Sequence, residues 1–172
     1  MTNEESPRRR LRVLPWPVAV LCAGMLTNAA ATIWDLAHLG ESFNYGDSPN
    51  GAVAYLLEGG FAWFRLVGTV VLAPVLWVTA RRAHRPGSRA AGVVGPLCVP
   101  LALCGGLLTG TNDGTDPDRL GIVHDAGTPA WVGVADVVGP AAILLGAAGA
   151  LVVVLRAVVS WSRVSRGGGA AG

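Results

Sequence analysis

Apolar residues are concentrated in four long stretches of the chain, at positions 14–39, 61–80, 90–108 and 131–155. Each stretch is close to or longer than the roughly 20 residues that an α-helix needs to cross a hydrocarbon core about 30 Å thick. Helices of a soluble protein would carry polar residues along one face, and these stretches do not. The pattern therefore predicts an all-α membrane protein, a four-transmembrane-helix bundle within residues 14–160.

The composition agrees with this interpretation. The 172 residues are 52% hydrophobic and 14% charged, whereas soluble domains carry about 25% charged residues. Every basic side chain other than histidine is an arginine, and this bias, together with abundant Ala, Gly and Val, is typical of a high-GC bacterial genome. The net charge of +2 is too small to favour a nucleic-acid partner. The first expected partner is the lipid bilayer.

The charges are distributed unevenly between the segments that flank the apolar stretches. Arginines occupy the tail 1–13, the connection 81–89 and the tail 161–172, whereas the connections 40–60 and 109–130 are acidic. Short arginine-rich segments stay in the cytoplasm, so an inner-membrane protein with both termini and residues 81–89 in the cytoplasm is predicted. The arginines concerned, including one at the end of the fourth span, are Arg8, Arg9, Arg10, Arg12, Arg81, Arg82, Arg85, Arg89, Arg156, Arg163 and Arg166.

The tryptophans give an independent indication of the same threading, since indole prefers the headgroup level of a bilayer. The three at predicted inner boundaries are Trp16, Trp77 and Trp161, and the three at outer boundaries are Trp34, Trp63 and Trp131. The N-terminal region also has the basic, apolar and small-residue zones of a cleaved secretory signal. Its apolar character continues to Leu39, which favours an uncleaved first span.

The two outer connections align with each other at an offset of 68 residues. The 25 positions 39–63 contain seven identities to 107–131, where about two are expected by chance. The matches include Asn, Gly and Pro residues that favour turns. If the repeat is real, the bundle consists of two helical hairpins of the same orientation, related by an axis along the membrane normal.

Charged residues also lie inside or beside the predicted spans. Arg65 and Asp136 lie about one helical turn below the outer edges of the second and fourth spans, with Asp35 and Glu58 close to the same level. A charge at this depth is costly unless it finds a partner within the protein. The sequence therefore predicts either a structural ion pair between helices or an outward-facing polar pocket that binds a solute.

A metal site is a further hypothesis for the outer side. Asp35 and His38 are three residues apart on one helix face, and His124 with Asp125 lies in the second outer connection. Nitrogen and oxygen ligands of these types suit zinc or copper. No established ligand spacing is present, and adjacent residues such as His124 and Asp125 rarely bind one ion together.

The acidic run TNDGTDPD raises the question of calcium. With Gly114 at position 6 of an EF-hand loop, Asp113 at position 5 is the one correct ligand. The spacing therefore disfavours this motif. The sequence instead predicts a solvated turn followed by a short helix near residues 119–123.

Other chemistry finds little support in the sequence. The three cysteines Cys22, Cys98 and Cys104 lie in predicted spans and form no C-x-x-C pair. Nucleotide-binding and hydrolase motifs are missing from the sequence. No cofactor is predicted. Small residues spaced four apart on the fourth span favour helix association in lipid. Three functions follow as hypotheses: a non-enzymatic component that associates with itself or with another membrane protein, a small-solute or ion transporter around Arg65 and Asp136, and a metal-dependent enzyme or sensor.

Overall fold

The computed structural model describes residues 11–47, 49–83, 85, 90–107, 120–124 and 127–167, and most of them are helical. Helix α1 begins with Pro15, which lacks the N–H that is unpaired at a first helical position in any case. It ends where the His38 N–H bonds the carbonyls of Trp34 and Asp35. The elements in chain order are α1 (Pro15–Ala37), α2 (Leu39–Ser42), β1 (Phe43–Asn44), α3 (Gly51–Arg82), α4 (Ala90–Leu107), β2 (Gly121–Ile122) and α5 (Ala130–Gly167).

Three of the helices, α1, α3 and α5, are long and apolar enough to cross a membrane. Helix α4 has 18 residues, which gives a length of about 27 Å. It contains Pro96 and Pro100, each of which removes a backbone hydrogen bond from the helix. The prediction of a mainly helical chain with membrane-length apolar helices is therefore confirmed for three of them.

Large apolar side chains cover the outside of the long helices. Phe64 and Val70 on α3 are 70% and 73% exposed, and Leu145 on α5 is 71% exposed. Soluble proteins rarely expose contiguous apolar surface on this scale. Hydrocarbon surroundings would remove the free-energy cost of this exposure, in agreement with membrane insertion.

Helix α3 begins ten residues before the second predicted span. It starts at Gly51, although the sequence predicted an outer connection up to residue 60 and a span from 61. Hydropathy identifies only the apolar part of a helix, and the first turns of α3 contain Glu58 and three glycines. The 32 residues of α3 extend about 48 Å, longer than a hydrocarbon core about 30 Å thick.

Glycines bring α1 and α5 into close backbone contact. A Cβ atom at Gly24 would lie 2.6 Å from the carbonyl oxygen of Gly139, and one at Gly146 would overlap the backbone of Leu21. Ala150 of α5 is fully buried. The small-residue face that predicted association with another chain is thus covered by α1 of the same chain.

The remaining contacts place the long helices in a closed order. Helix α5 also packs on α4, and α1 also packs on α3, while α3 and α4 touch less extensively. Leu21 of α1, Leu76 of α3 and Val94 of α4 belong to one buried apolar cluster with Ile143 of α5. The core therefore lies between the four helices.

A two-residue antiparallel ladder connects the two outer connections. Phe43 pairs with Ile122 and Asn44 with Gly121, and Ile122 is buried against Leu39 and Phe43. The prediction of a short helix near residues 119–123 is therefore wrong at 121–122, which form a strand. Gly121 has φ of 142°, which is incompatible with a helix, and the sequence does not reveal the partner strand that buries Ile122.

The proposed repeat is matched only in part by the structure: Ala62 and Trp63 and their counterparts Ala130 and Trp131 are all helical, but other aligned residues differ. Positions 53–54 lie in helix α3, whereas the positions aligned with them, 121–122, form strand β2. In the first copy, the Asn44 side chain accepts a hydrogen bond from the Gly46 N–H at 3.0 Å and shapes a turn. The matching turn at 112–117 lies outside the described residues. The two copies therefore differ in local structure between the turn and the start of the following long helix.

Candidate functional site

Three acidic or histidine side chains converge where α1 ends and α5 begins. Asp35 follows Ala31 by four residues on α1, and Asp136 follows Val132 by four residues on α5. Ala31 and Val132 belong to one buried cluster, so the two aspartates continue the faces along which the helices touch. The antiparallel packing of α1 and α5 thus places both carboxylates at the same end.

The ladder between the outer connections supplies the third side chain. His124 follows β2 by two residues, and the neighbouring Val123 N–H donates a 2.7 Å hydrogen bond to the Ser42 carbonyl. This bond fixes the chain beside the end of α1. His124 is thereby held over the two helix ends, although it is 89 residues from Asp35 in the sequence.

The three side chains are close and mostly buried. His124 Nε2 lies 3.4 Å from Asp35 Oδ1 and 3.5 Å from Asp136 Oδ2. The side-chain exposures are 15% for His124, 5% for Asp35 and 12% for Asp136. One donor atom from each residue falls within 4.8 Å of the others. We refer to Asp35, His124 and Asp136 as the outer cluster, because they lie at the end of the helices that the charge pattern predicts to face outward.

The distances are compatible both with a long hydrogen bond between His124 and Asp35 and with ligands of one metal ion. Ordinary N–H···O hydrogen bonds measure about 2.7–3.2 Å, shorter than both His124 contacts. A tetrahedral zinc site with ligands at about 2.0–2.1 Å has ligand–ligand edges of about 3.3–3.4 Å. Both contacts agree with such edges.

Unsatisfied polar atoms mark the same place. Among the described residues, the buried side-chain atoms without a hydrogen-bond partner are Asp136 Oδ2 and Arg65 Nε. A buried carboxylate oxygen without a partner costs on the order of 1–3 kcal/mol or more. A cation between Asp35 and Asp136 would remove this cost at Asp136 and the repulsion between two like charges.

Arg65 lies beside the outer cluster rather than inside it. Its Nη2 atom is 3.6 Å from Glu58 Oε1, two turns earlier on α3, and both side chains are largely buried. Arg65 is near enough to Asp35 and Asp136 to act on both electrostatically. The predicted polar group of Arg65, Asp136, Asp35 and Glu58 therefore does assemble, but the direct partner of Arg65 is Glu58.

The charges nearly balance once an ion is included. Arg65 and Glu58 neutralise each other, which leaves the two negative charges of Asp35 and Asp136. A divalent cation with a neutral His124 would compensate both. A protonated His124 without an ion would compensate only one.

Of the residues that the sequence suggested for a metal, Asp35 and His124 meet. His38 does not join them: its ring stacks on Trp34 at 4.3 Å, and its Nδ1 lies 2.9 Å from the Trp34 carbonyl oxygen. Asp125 lies outside the described residues. Asp136, rather than His38, is the third side chain beside Asp35 and His124; the sequence had singled it out as a charge within a span, at a depth similar to that of Arg65.

Comparison of the chain with known protein families, with curated proteins and with solved structures finds no match.

Proposed function

We propose that this chain is a metal-dependent protein of the bacterial inner membrane that binds a divalent transition-metal ion, zinc first, through Asp35, His124 and Asp136. The observation that carries the proposal is the convergence of these three donors from three separate segments: His124 Nε2 lies 3.4 and 3.5 Å from the two carboxylates, and all three donors lie within 4.8 Å of one another. Three protein ligands leave one position of a tetrahedral ion open to water or to a small ligand. That arrangement is typical of catalytic and sensing sites rather than of closed structural ones.

The open position would lie next to Arg65. This side chain is 15% exposed, and its Nε has no hydrogen-bond partner among the described residues. A guanidinium group beside a metal-bound water can attract and orient an anionic ligand. We therefore assign Arg65 a positioning role toward a small carboxylate, phosphate or comparable anion.

The threading that we propose has four spans, with α4 as the third, and both termini in the cytoplasm. It is supported by the separation of charges along the helices: the outer cluster lies at the C-terminal end of α1, while Arg12 precedes its N-terminal end. Arg81, at the far end of α3, lines the same crevice as Arg12. The arginine-rich end then faces the cytoplasm, and the outer cluster faces away from it.

Metal analysis tests the functional proposal directly. Full-length protein without a polyhistidine tag, purified in detergent, exposed to Zn²⁺ and desalted, should retain about one zinc ion per chain. The ion should leave on treatment with a chelator and return on re-addition. Protein that retains no zinc, cobalt or manganese would rule out the site.

Labelling of engineered cysteines tests the threading. Thr115→Cys and Ser88→Cys both lie outside the described residues, in the second outer connection and in the cytoplasmic connection respectively. In intact cells, a membrane-impermeant maleimide should label the first variant and not the second, because only the acidic connections are proposed to face outward. The opposite pattern would invert the topology.

A solute or ion transporter is the second candidate. It is favoured by the assembly of four charged or titratable side chains, Asp35, Asp136, Arg65 and His124, near the end of one apolar core. Intramembrane charges of this kind line substrate or proton paths in transporters. Zinc that stays bound through desalting favours the metal-dependent protein, since a carrier built on Arg65 requires no resident ion.

The association hypothesis has lost its main support. It relied on small residues of the fourth span, and Gly146 and Ala150 are already in contact with or buried by neighbouring parts of the same chain. Association with a second copy or with another membrane protein would have to use other surfaces, such as the exposed apolar face of α3 around Phe64 and Val70.

A further inference from the structure

A crevice opens at the end of the molecule opposite to the outer cluster. It lies between the start of α1 and the end of α3, and it encloses about 650 Å³. This volume is within the range of about 300–1,000 Å³ that is usual for ligand sites. The polar and aromatic side chains that line it are Arg12, Trp16, Trp77, Arg81 and Arg85.

The crevice carries the positive charge of three arginines. Within the described part of the chain, Arg12, Arg81 and Arg85 have no carboxylate partner within 4.0 Å. The Arg81 guanidinium carbon lies 4.4 Å from the centre of the Trp77 ring, so one face of the guanidinium is covered. Its N–H groups remain available in the plane, in the fork geometry that matches phosphate oxygens.

The indole rings locate the crevice at the membrane surface. Trp16 is 76% exposed and Trp77 lies across the crevice from it. Tryptophan is enriched at the headgroup level of bilayers, where one side of the ring is apolar and the N–H is wet. A ligand at this level would meet arginines on the water side and indole on the hydrocarbon side.

We propose that this crevice binds the phosphate group of an anionic phospholipid of the cytoplasmic leaflet. The inference rests on the membrane threading proposed above, and it does not depend on the metal site. Three arginines favour a phosphate that carries net negative charge over a zwitterionic headgroup, because the choline cation would be repelled. The exposed indole and apolar lining favour a lipid, which has acyl chains, over a free phosphate ion.

Native mass spectrometry of the full-length protein in detergent tests this site. The protein is titrated with phosphatidylglycerol, with phosphatidylcholine and with inorganic phosphate as competitor. Phosphatidylglycerol should bind at least about tenfold more tightly than phosphatidylcholine, and Arg12→Gln or Arg81→Gln should each weaken it about fivefold. Both arginines are exposed; Arg81→Gln also removes the contact of the guanidinium with Trp77, whereas Arg12→Gln does not.

Arg156→Gln is the matched control. Arg156 is an exposed residue of α5, towards the same end of the molecule as the crevice, and it does not line the crevice. It should change the affinity for phosphatidylglycerol by less than about twofold. Equal binding of the two lipids, an equal loss in Arg156→Gln, or displacement by millimolar inorganic phosphate would overturn the proposal. Zinc content measured on the same samples reports separately on the outer cluster and should not change in the arginine variants.

Discussion

His124→Ala should lower the affinity of the protein for Zn²⁺ by at least about 100-fold, because it removes one of three ligands and changes in the residues behind a ligand already cost about 10- to 100-fold. Asp136→Asn should have a comparable effect. The amide keeps the size of the carboxylate but lacks the negative charge that an ion requires. Isothermal titration of detergent-purified protein with Zn²⁺ measures both losses.

Two controls match these substitutions closely. Asp47→Asn makes the same chemical change in the first outer connection, at an exposed residue outside the cluster. His38→Ala removes a histidine of the outer end whose ring stacks on Trp34. Both should bind Zn²⁺ with nearly the affinity of the unaltered protein. If His38→Ala loses as much affinity as His124→Ala, the assignment of the third ligand to Asp136 is wrong.

Gly146→Ala should destabilise the fold by more than about 2 kcal/mol, since one added methyl group at a tightly packed site already costs about 1–3 kcal/mol. The new Cβ would overlap the backbone of Leu21 on α1, and a backbone cannot move aside as a flexible side chain can. Helix propensity acts in the opposite direction, because alanine is better than glycine by about 1 kcal/mol in a helix. The clash therefore predicts a loss of stability, whereas helix propensity alone would predict a gain.

Gly133→Ala is the internal reference on the same helix. No atom lies within 4 Å of a Cβ placed at Gly133, so this variant should be neutral or up to about 1 kcal/mol more stable. Thermal unfolding midpoints in one detergent compare the two variants. Equal midpoints would show that α1 and α5 are not packed through Gly146.

Zinc affinity and the stability of the fold are connected, because both depend on the packing of α1 on α5. Asp35 and Asp136 meet because their helices touch along Ala31 and Val132, and Gly146 permits that approach about four turns beyond Val132 on α5. A small shift between the helices would separate the carboxylates. We therefore expect Gly146→Ala to weaken zinc binding as well, and Gly133→Ala to leave it unchanged.

Much of the fold could be predicted from the apolar stretches alone. Transfer of a helix into hydrocarbon depends on its own residues, so hydropathy locates membrane-length helices without knowledge of their neighbours. The starts of helices are less visible: α3 begins at Gly51, in a segment whose polar residues resemble those of a connection. The strand at 121–122 was missed because its stability comes from the partner strand at 43–44, and pairing across so many residues leaves no local pattern.

The candidate site was predicted in two separate pieces. Asp35 and His124 were predicted as metal ligands because of their residue types. Asp136 was predicted to pair with Arg65, because a charge within a span needs a partner. The sequence did not reveal that these side chains meet, because the register of α1 against α5 depends on small residues several turns away. His38 was assigned to the same face as Asp35 by helical spacing, but α1 ends at Ala37 and the ring turns onto Trp34.

By itself, the sequence determined the helical class, the apolar helices and the separation of arginines from acidic residues, because each depends on the residues of one segment and on the solvent around them. The tertiary structure alone decided which charged groups meet. It placed Asp136 rather than His38 with Asp35 and His124, paired Arg65 with Glu58, and closed the small-residue face of α5 onto α1. These outcomes depend on contacts of a few ångströms between distant segments, and only packing fixes such distances.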